Sequence, residues 1–426
     1  MEATLYLTFT ISCFIAPSVV NKLGCRLSMF LGMMGYASLV AASLLYFVLN
    51  EGKGSVASPF SWIVILGGAV LGVGAALLWT AQGRLLLEYS SGGTDAGQLW
   101  ALFWGIFNLS AVAGGLMTAT YFAAHDSNTG SVDLYVLFLA LILAGATGTF
   151  FLMDPKEVSG STAATQVADA ERLAERTGIT SGRLTTSSWA EEVLETFRLF
   201  GRPRYMALAC IYFYTGFNQP YQIVVMGHRV FAPAVLGLQL SLFYAAEIVG
   251  GVVAGRMLDA GTQQGSARGG NAKACLTLFA FLMGLGYWLA VRQEIRLASL
   301  HETDVGHVSG FAQMAMASAM MLIWGFSDSQ IQTYVMWDIG VAHAGDGATQ
   351  ARAVGFYKMV QSAGWSLGFL LSPTWRLSAF WQCGLTSFVG CLGFGLACLT
   401  LTEGSKPLDS VRVPAVAKHL DSAKKH

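Results

Sequence analysis

The sequence predicts an all-α protein that crosses a membrane many times, and three observations support this. Hydrophobic residues make up 54% of the 426 residues and charged residues only 12%, about half the charged fraction of soluble domains. Glycine is frequent (49 residues) and proline is rare (9 residues), which favours close packing of membrane helices. The third observation is a series of long apolar runs. We therefore expect an integral, multi-pass protein, embedded in the lipid bilayer of the plasma membrane or of an internal membrane.

Each apolar run is long enough for a helix that crosses a hydrocarbon core of about 30 Å, which takes about 20 residues. The eleven runs cover 3–20, 27–49, 62–83, 99–123, 134–153, 204–226, 235–258, 274–291, 311–335, 354–373 and 377–402. The predicted domains are a five-span half (1–153), a cytoplasmic connecting segment (154–203), a six-span half (204–402) and a cytoplasmic tail (403–426). In the connecting segment, "SSWAEEVLETFRLF" carries opposite charges at helical spacing and predicts a short helix. We interpret the segment as a solvated linker, with docking of a partner as the alternative.

Basic residues in the connections predict the orientation of the spans. We place the turn at 21–26, the connecting segment and the tail on one side of the membrane. Only five basic residues then remain on the other side: Lys53, Arg229, Arg292, Arg296 and Arg376. The side that is richer in lysine and arginine, which we call the basic side, is predicted to be cytoplasmic. With eleven spans, Met1 would lie on the opposite side.

Charge balance and motif content argue against several other classes of protein. Basic and acidic residues are equal in number, 25 of each, so nothing indicates a nucleic-acid partner. The seven cysteines include no C-x-x-C pair and are interpreted as small buried hydrophobic residues. We find no nucleophile elbow, phosphate loop or zinc signature, and "HETDVGH" (301–307) is interpreted as a solvated loop. We predict no enzymatic activity, no cofactor and no metal site.

Two short turns on the basic side resemble each other, "APSVVNKLGCR" (16–26) and "GGVVAGRMLDAG" (250–261). Both resemble the "G-x-x-x-D-R-x-G-R-R" turn of major facilitator superfamily transporters, in which the glycine permits close helix contact and the acid latches neighbouring helices. The matching residues are Lys22, Gly24 and Arg26 in the first turn and Gly255, Arg256 and Asp259 in the second. In the first turn, Pro17 and Asn21 stand at the positions of the glycine and the acid.

Three longer strings are similar to the Unc-93-like family, a branch of that superfamily named for an ion channel regulatory protein. They are "APSVVNKLGCRLSMFLGMMGYA" (16–37), "GAALLWTAQGRLLLEYSSGG" (74–93) with "LFWGIFNLSAVAGGL" (102–116), and "ARAVGFYKMVQSAGW" (351–365). The resemblance implies a bundle of two six-helix halves, so that the first helix of the usual twelve is absent from the eleven counted here. It also implies a secondary transporter that moves a small solute or ion by alternating access. The alternative is a non-transporting regulator or trafficking partner of an ion channel or receptor.

Ionisable and amide residues inside the apolar runs are costly, and they mark candidate cavity residues. Glu247 lies in the middle of its run and is interpreted either as a protonatable cavity carboxyl group or as a neutral residue bonded to another helix. Trp324, Asp328 and Gln332 are four residues apart and share one helix face. They are interpreted either as substrate contacts or as residues that form hydrogen bonds to another helix.

Two further features belong to the same candidate cavity. Asn218 and Gln219 precede Pro220, which is expected to break the helix, either at a binding site or as a structural kink. Lys358 lies four residues inside its run, with Gln361 one turn deeper. We predict that Lys358 forms an ion pair with Asp328; the alternative is that its side chain reaches the headgroups alone.

Overall fold

The computed structural model describes residues 1–50, 58–90, 95–125, 132–153, 188–263, 268–299, 308, 310–371 and 377–403. Over these residues the secondary structure is helical, without a β-strand. Helices α1 to α6 cover Glu2–Ser12, Ala16–Leu23, Cys25–Leu49, Ser61–Tyr89, Ala96–His125 and Val132–Gly148. Helix α7 covers Trp189–Phe200, and helices α8 to α13 cover Pro203–Gln219, Pro233–Gln263, Arg268–Ala298, Phe311–Ala342, Gly347–Leu371 and Ala379–Glu403. Most of the connecting segment (154–187), the tail (404–426) and the loop at 301–307 lie outside the described residues.

Every predicted apolar run coincides with a helix, but the first run is broken in the middle. It forms α1 and α2, which are bent by 60° relative to each other. Pro17 explains the break, because its ring would clash with the carbonyl group of residue 13 in a continuous helix. At the bend, Phe14 and Ile15 donate their N–H groups to carbonyl oxygens three residues back, at 3.2 and 3.0 Å, as in a 3-10 turn. The first predicted span is therefore a bent pair of helices.

By length and apolar composition, seven of the described helices could cross a membrane, or eight if α1 and α2 form one span. Three predicted spans fall outside this set, namely α8, α11 and α12. They lie in the middle of the bundle, and residues 327–340 of α11 are buried without interruption. Because other helices shield them from lipid, their surfaces can be polar. These three helices carry most of the polar cluster that forms the candidate site.

The two predicted halves touch along several helix pairs, which include α4 with α12 and α5 with α11. Helix α5 packs against α9, and α1 packs against α12. At the basic side two contacts are very close: Gly97 of α5 lies against the backbone of Gly255 of α9, and Gly355 of α12 lies against the ring of Pro17 of α2. The two similar turns thus occupy corresponding places, each against a helix of the other half. The division into two halves stays a prediction.

Helix α7 confirms the helix predicted in the connecting segment. A capping box begins it, in which Ser188 and Glu191 each accept a hydrogen bond from the backbone of the other. The prediction of a solvated linker is wrong for this helix, because Phe200 is buried against Phe356 of α12, with ring centroids 4.8 Å apart. On its other flank, Phe197 stacks on Phe14 at the bend between α1 and α2 (5.5 Å). Helix α7 therefore contacts both predicted halves, through Phe14 and Phe356.

Candidate functional site

A buried network of amide groups surrounds the carboxylate of Asp328 on α11. Asn218 and Gln219 at the end of α8 donate to its two oxygens, each at 3.0 Å, and Gln332 donates one turn along α11 at 2.7 Å. The α-helix ends at Gln219, as expected before Pro220, but the chain does not leave helical geometry and continues as a π-helix over Pro220–Gly227. Proline has no N–H group to donate to the carbonyl group four residues earlier, so the α-helical hydrogen-bond pattern is interrupted at Pro220.

The network continues from Asp328 to Lys358 through two glutamines. Gln361 donates from its amide nitrogen to Gln332 Oε1 (3.0 Å), and Lys358 Nζ donates to Gln361 Oε1 (2.8 Å). Thr215 of α8 and Tyr357 of α12 also hold the amide of Gln361, at 3.1 and 3.0 Å. All these side chains are buried. Two glutamine side chains therefore link the carboxylate to the ammonium group.

The predicted direct ion pair between Asp328 and Lys358 is wrong for this conformation. Among the described residues, no carboxylate lies within ion-pairing distance of Lys358. The alternative is also wrong, because Lys358 is only 3% exposed and does not reach the membrane surface. Its ammonium group instead lies over the rings of Trp79 (4.4 Å) and Tyr357 (4.8 Å), which attract a cation through their π-electrons.

Glu247 on α9 joins the cluster from the other side of α11. Its carboxyl group lies beside that of Asp328 and near the amide of Asn108 on α5. Ser329 of α11 donates to the backbone carbonyl of Glu247, and Gly250 one turn later lies against the backbone of Phe326, so α9 and α11 are in tight contact. The structure thus brings two buried carboxyl groups together where α5, α9 and α11 meet.

The second turn on the basic side latches α9 to α5. Asp259 is buried and accepts hydrogen bonds from the backbone N–H groups of Gly97 (2.9 Å) and Gln98 (2.7 Å). These N–H groups belong to the first turn of α5, where helices lack internal acceptors and favour negative charge. Gly255 allows this approach, since a side chain there would collide with the carbonyl group of Gly97.

Replacing Asp259 with alanine should destabilise the protein by about 1 kcal/mol, as for loss of a helix cap, because two N–H groups at the start of α5 lose their acceptor. Thermal unfolding of the purified protein measures this. The exposed Arg256, three residues earlier on the same helix, is the matched control, and Arg256→Ala should leave the unfolding temperature unchanged. Equal effects of the two substitutions would contradict a latch at Asp259.

The first turn is built differently, because the acid comes from α7. Asn21 donates to Glu192 of α7 (3.0 Å), which also binds Arg352 of α12 (2.8 Å). Arg84 of α4 donates to Asn21 (2.9 Å) and pairs with Glu88. Glu192 therefore occupies the place of the missing acid and joins three parts of the chain.

The other residues of the two turns lie at the surface. Gly24 has a φ of 81°, a backbone conformation that favours glycine, and it connects α2 to α3. Lys22 and Arg26 on either side of it are partly exposed, and Arg256 of the second turn is exposed. These basic side chains can face the headgroups on the basic side.

Sequence comparison identifies the family from nearly the whole chain. The family described as "Ion channel regulatory protein UNC-93" matches residues 1–396. The chain belongs to the UNC-93 family. An UNC93-like protein of Schizosaccharomyces pombe is 27% identical over 372 residues, which cover 85% of this chain and 67% of that protein. UNC93-like protein 1 of Arabidopsis thaliana is also 27% identical, over 85% of this chain and 73% of its own length.

Solved structures with a similar fold are major facilitator superfamily transporters. The proton:xylose symporter XylE has a TM-score of 0.60 at 15% sequence identity, over 94% of this chain and 84% of its own. The human organic anion transporter MFSD10 has a TM-score of 0.57 at 14% identity, over 93% of this chain and 83% of its own. At these identities the likeness shows the fold alone. The UNC-93 family chain thus has the helical bundle of that superfamily.

Not every predicted cavity residue of this UNC-93 family chain joins the cluster. Trp324 packs against Tyr221 and Tyr287, with ring centroids 6.1 and 5.9 Å away, rather than contacting the amide network. Sequence reasoning missed several partners that belong to the cluster, although each is a polar or aromatic residue inside an apolar run. They are Trp79, Thr215, Tyr357 and Trp365, the last of which donates to Gln219 (3.1 Å).

Proposed function

We propose that this UNC-93 family protein is a secondary transporter that moves a small solute by alternating access. The observation that carries the proposal is the chain of buried polar groups from Asp328 to Lys358. Burying two ionisable groups and two amides in the middle of a membrane bundle costs free energy. A contact that only holds helices together does not need these groups. The cluster also lies where helices of both predicted halves meet, which is where transporters of this architecture bind their substrates.

The pair Glu247 and Asp328 is proposed to couple movement to a proton. Two adjacent carboxyl groups in a dry environment repel each other when both are charged, so they are suited to share and release one proton. Because Glu247 belongs to α9 and the amides that hold Asp328 belong to α8 and α11, a change in charge would act on contacts between helices.

Spin-label distances test alternating access without a known substrate. With the seven cysteines replaced by alanine, one pair of labels at Leu23 and Lys273 reports on the basic side, and a pair at Trp62 and Phe311 reports on the opposite side. All four positions are exposed. We expect two populations at each side, with reciprocal changes when pH is varied. Glu247→Gln together with Asp328→Asn should shift the populations toward one state, whereas the exposed Asp133→Asn should not.

A regulator of an ion channel or receptor is the second candidate, and the description of the matching family favours it. Such a protein needs no exchange between two open states. A single distance at both label pairs, unchanged by pH and by the carboxyl substitutions, would contradict transport and support regulation.

A further inference from the structure

A cleft follows the contact between α5 and α9 at the basic side. Its cavity volume is about 340 Å³. The α5 wall runs from Gln98 to Leu109, about 16 Å along the helix axis, which is about half the thickness of a hydrocarbon core. The α9 wall consists of Val252 and Arg256. The cleft therefore has the length of a single leaflet of the bilayer, the one on the basic side.

The cleft opens on the outer face of the bundle. On α5, the rings of Phe103 and Phe107 face Trp79 of α4, with centroids 6.0 and 5.5 Å from the ring of Trp79. Leu102 and Leu109 line the cleft on the side of α5 that points away from α4, and they are 61% and 62% exposed. A further helix packed between α4 and α5 would therefore leave this cleft open. Apolar side chains at this depth face lipid.

Gly105 gives the cleft its depth. Elsewhere along the same contact glycine is needed for helix packing, since a Cβ atom at Gly97 would lie 2.7 Å from the carbonyl oxygen of Gly255. At Gly105, two turns further along α5, the nearest atom to an added Cβ is a methyl group of Ile248, 4.0 Å away. Packing of α5 against α9 therefore does not require glycine at this position. The absence of a side chain leaves a groove that an acyl chain can fill.

Arg256 lies at the headgroup end of the cleft. Its side chain is exposed and forms no ion pair with the described residues. The nearby Asp259 is buried and already accepts two backbone N–H groups of α5. A guanidinium group binds phosphate through two parallel hydrogen bonds, and anionic phospholipids give the cytoplasmic leaflet its negative charge. The charge of the cleft is therefore complementary to the lipids of the basic side, which is predicted to be cytoplasmic.

We propose that this cleft binds an anionic phospholipid of the basic-side leaflet. The phosphate group binds the guanidinium group of Arg256, and one acyl chain lies over Gly105 between α5 and α9. The lipid contacts both predicted halves beside the latch of Asp259, and it stabilises the arrangement in which α5 and α9 are in contact. The site is separate from the amide network around Asp328, and its occupation does not depend on transport.

Lipid titration of the purified full-length protein in detergent tests the proposal. The probes are phosphatidylserine, phosphatidylcholine with the same acyl chains, and glycerophosphoserine, which has the headgroup without the chains. Affinity is measured from the shift of thermal unfolding with probe concentration. We expect phosphatidylserine to bind about fivefold more tightly than phosphatidylcholine, because one arginine attracts its net negative charge. Glycerophosphoserine should cause no shift, because it lacks the chain that fills the groove.

Two variants assign the binding to the cleft. Without lipid, Arg256→Gln should unfold at the same temperature as the unsubstituted protein. With lipid it should lose the preference for phosphatidylserine, whereas the exposed Lys273→Gln should retain it. Gly105→Leu fills the groove and should weaken the binding of both lipids severalfold. Gly284→Leu is the matched control, since nothing lies within 4 Å of a Cβ atom added there.

Four results would overturn the proposal. They are equal binding of the two lipids, a preference for phosphatidylserine that persists in Arg256→Gln, unchanged lipid binding by Gly105→Leu, and a shift by glycerophosphoserine as large as that by phosphatidylserine. The spin-label test of alternating access can fail without affecting any of these measurements.

Discussion

Valine at position 216 is expected to prevent folding of the protein. Gly216 lies where α8 meets α12, and a Cβ atom there would overlap the carbonyl oxygen of Gln361 and lie 2.8 Å from its carbonyl carbon and 3.0 Å from the backbone nitrogen of Trp365. These are backbone atoms, which cannot rotate out of the way as a side chain can. In addition, Gln361 sits in the middle of the amide network, so separating the two helices also breaks its bonds to Thr215.

The expected result is loss of monodisperse protein in size-exclusion chromatography after detergent extraction, because overpacking against a rigid backbone costs about 3 kcal/mol, the upper end of the usual range. Gly284→Val is the matched control. Gly284 also lies inside a long helix, α10, but nothing is within 4 Å of a Cβ atom added there. The control therefore carries the same change in helix propensity without the collision. Normal recovery of Gly216→Val would show that α8 and α12 are not in backbone contact.

The helices and their glycine contacts are the part of the structure that the sequence predicts well. Apolar runs of about 20 residues have few alternatives in a membrane, because backbone groups must be paired within each helix. Glycines four residues apart likewise indicate a face that another backbone can approach. Gly364 shows this, since it lies against the backbone of Phe213 and Phe217, as does Gly255 against Gly97.

Partner choice within the polar cluster is the part that the sequence does not predict. The depth of a residue in the membrane can be inferred from its position in an apolar run. By this measure Asp328 and Lys358 are close enough in depth to form the predicted ion pair. The rotation of each helix about its axis depends on all neighbours, and here it places Gln332 and Gln361 between the two charges. The local bond from Lys358 to Gln361, three residues later, is the part that spacing alone could have identified.

The partners of Glu192 are also not predicted by the sequence, because they lie far from it along the chain. Its helix is visible locally, through the capping box at Ser188 and the charges that follow. Its partners Asn21 and Arg352 are 171 and 160 residues away in the chain, and nothing in the local pattern identifies them. The connecting segment has an ordinary polar composition, yet it contains a buried residue, Glu192, that bonds to both Asn21 and Arg352.

Removal of the Glu192 carboxylate is expected to open the basic side. Glu192 and Arg352 are 2.8 Å apart, and their side chains are only 10% and 14% exposed. Loss of one partner of such a buried pair typically costs about 3–5 kcal/mol, because the other charge stays buried without compensation. Arg84 of α4 also donates to Asn21, so Glu192→Gln weakens a contact that joins α2, α4, α7 and α12. The label pair at Leu23 and Lys273 should report a longer distance.

A control and a rescue make this expectation specific to the latch. Glu195 on the same helix pairs with Arg198 at the surface, with side chains 43% and 62% exposed, and Glu195→Gln should have little effect because exposed pairs contribute little. Asn21→Asp should restore part of the short distance in Glu192→Gln, since it returns an acid to the position where similar turns carry one. If Asn21→Asp leaves the distance long, or if Glu195→Gln opens the basic side equally, the carboxylate of Glu192 does not act as the latch. Closure would then depend on the apolar contacts of α7, where Phe200 packs on Phe356.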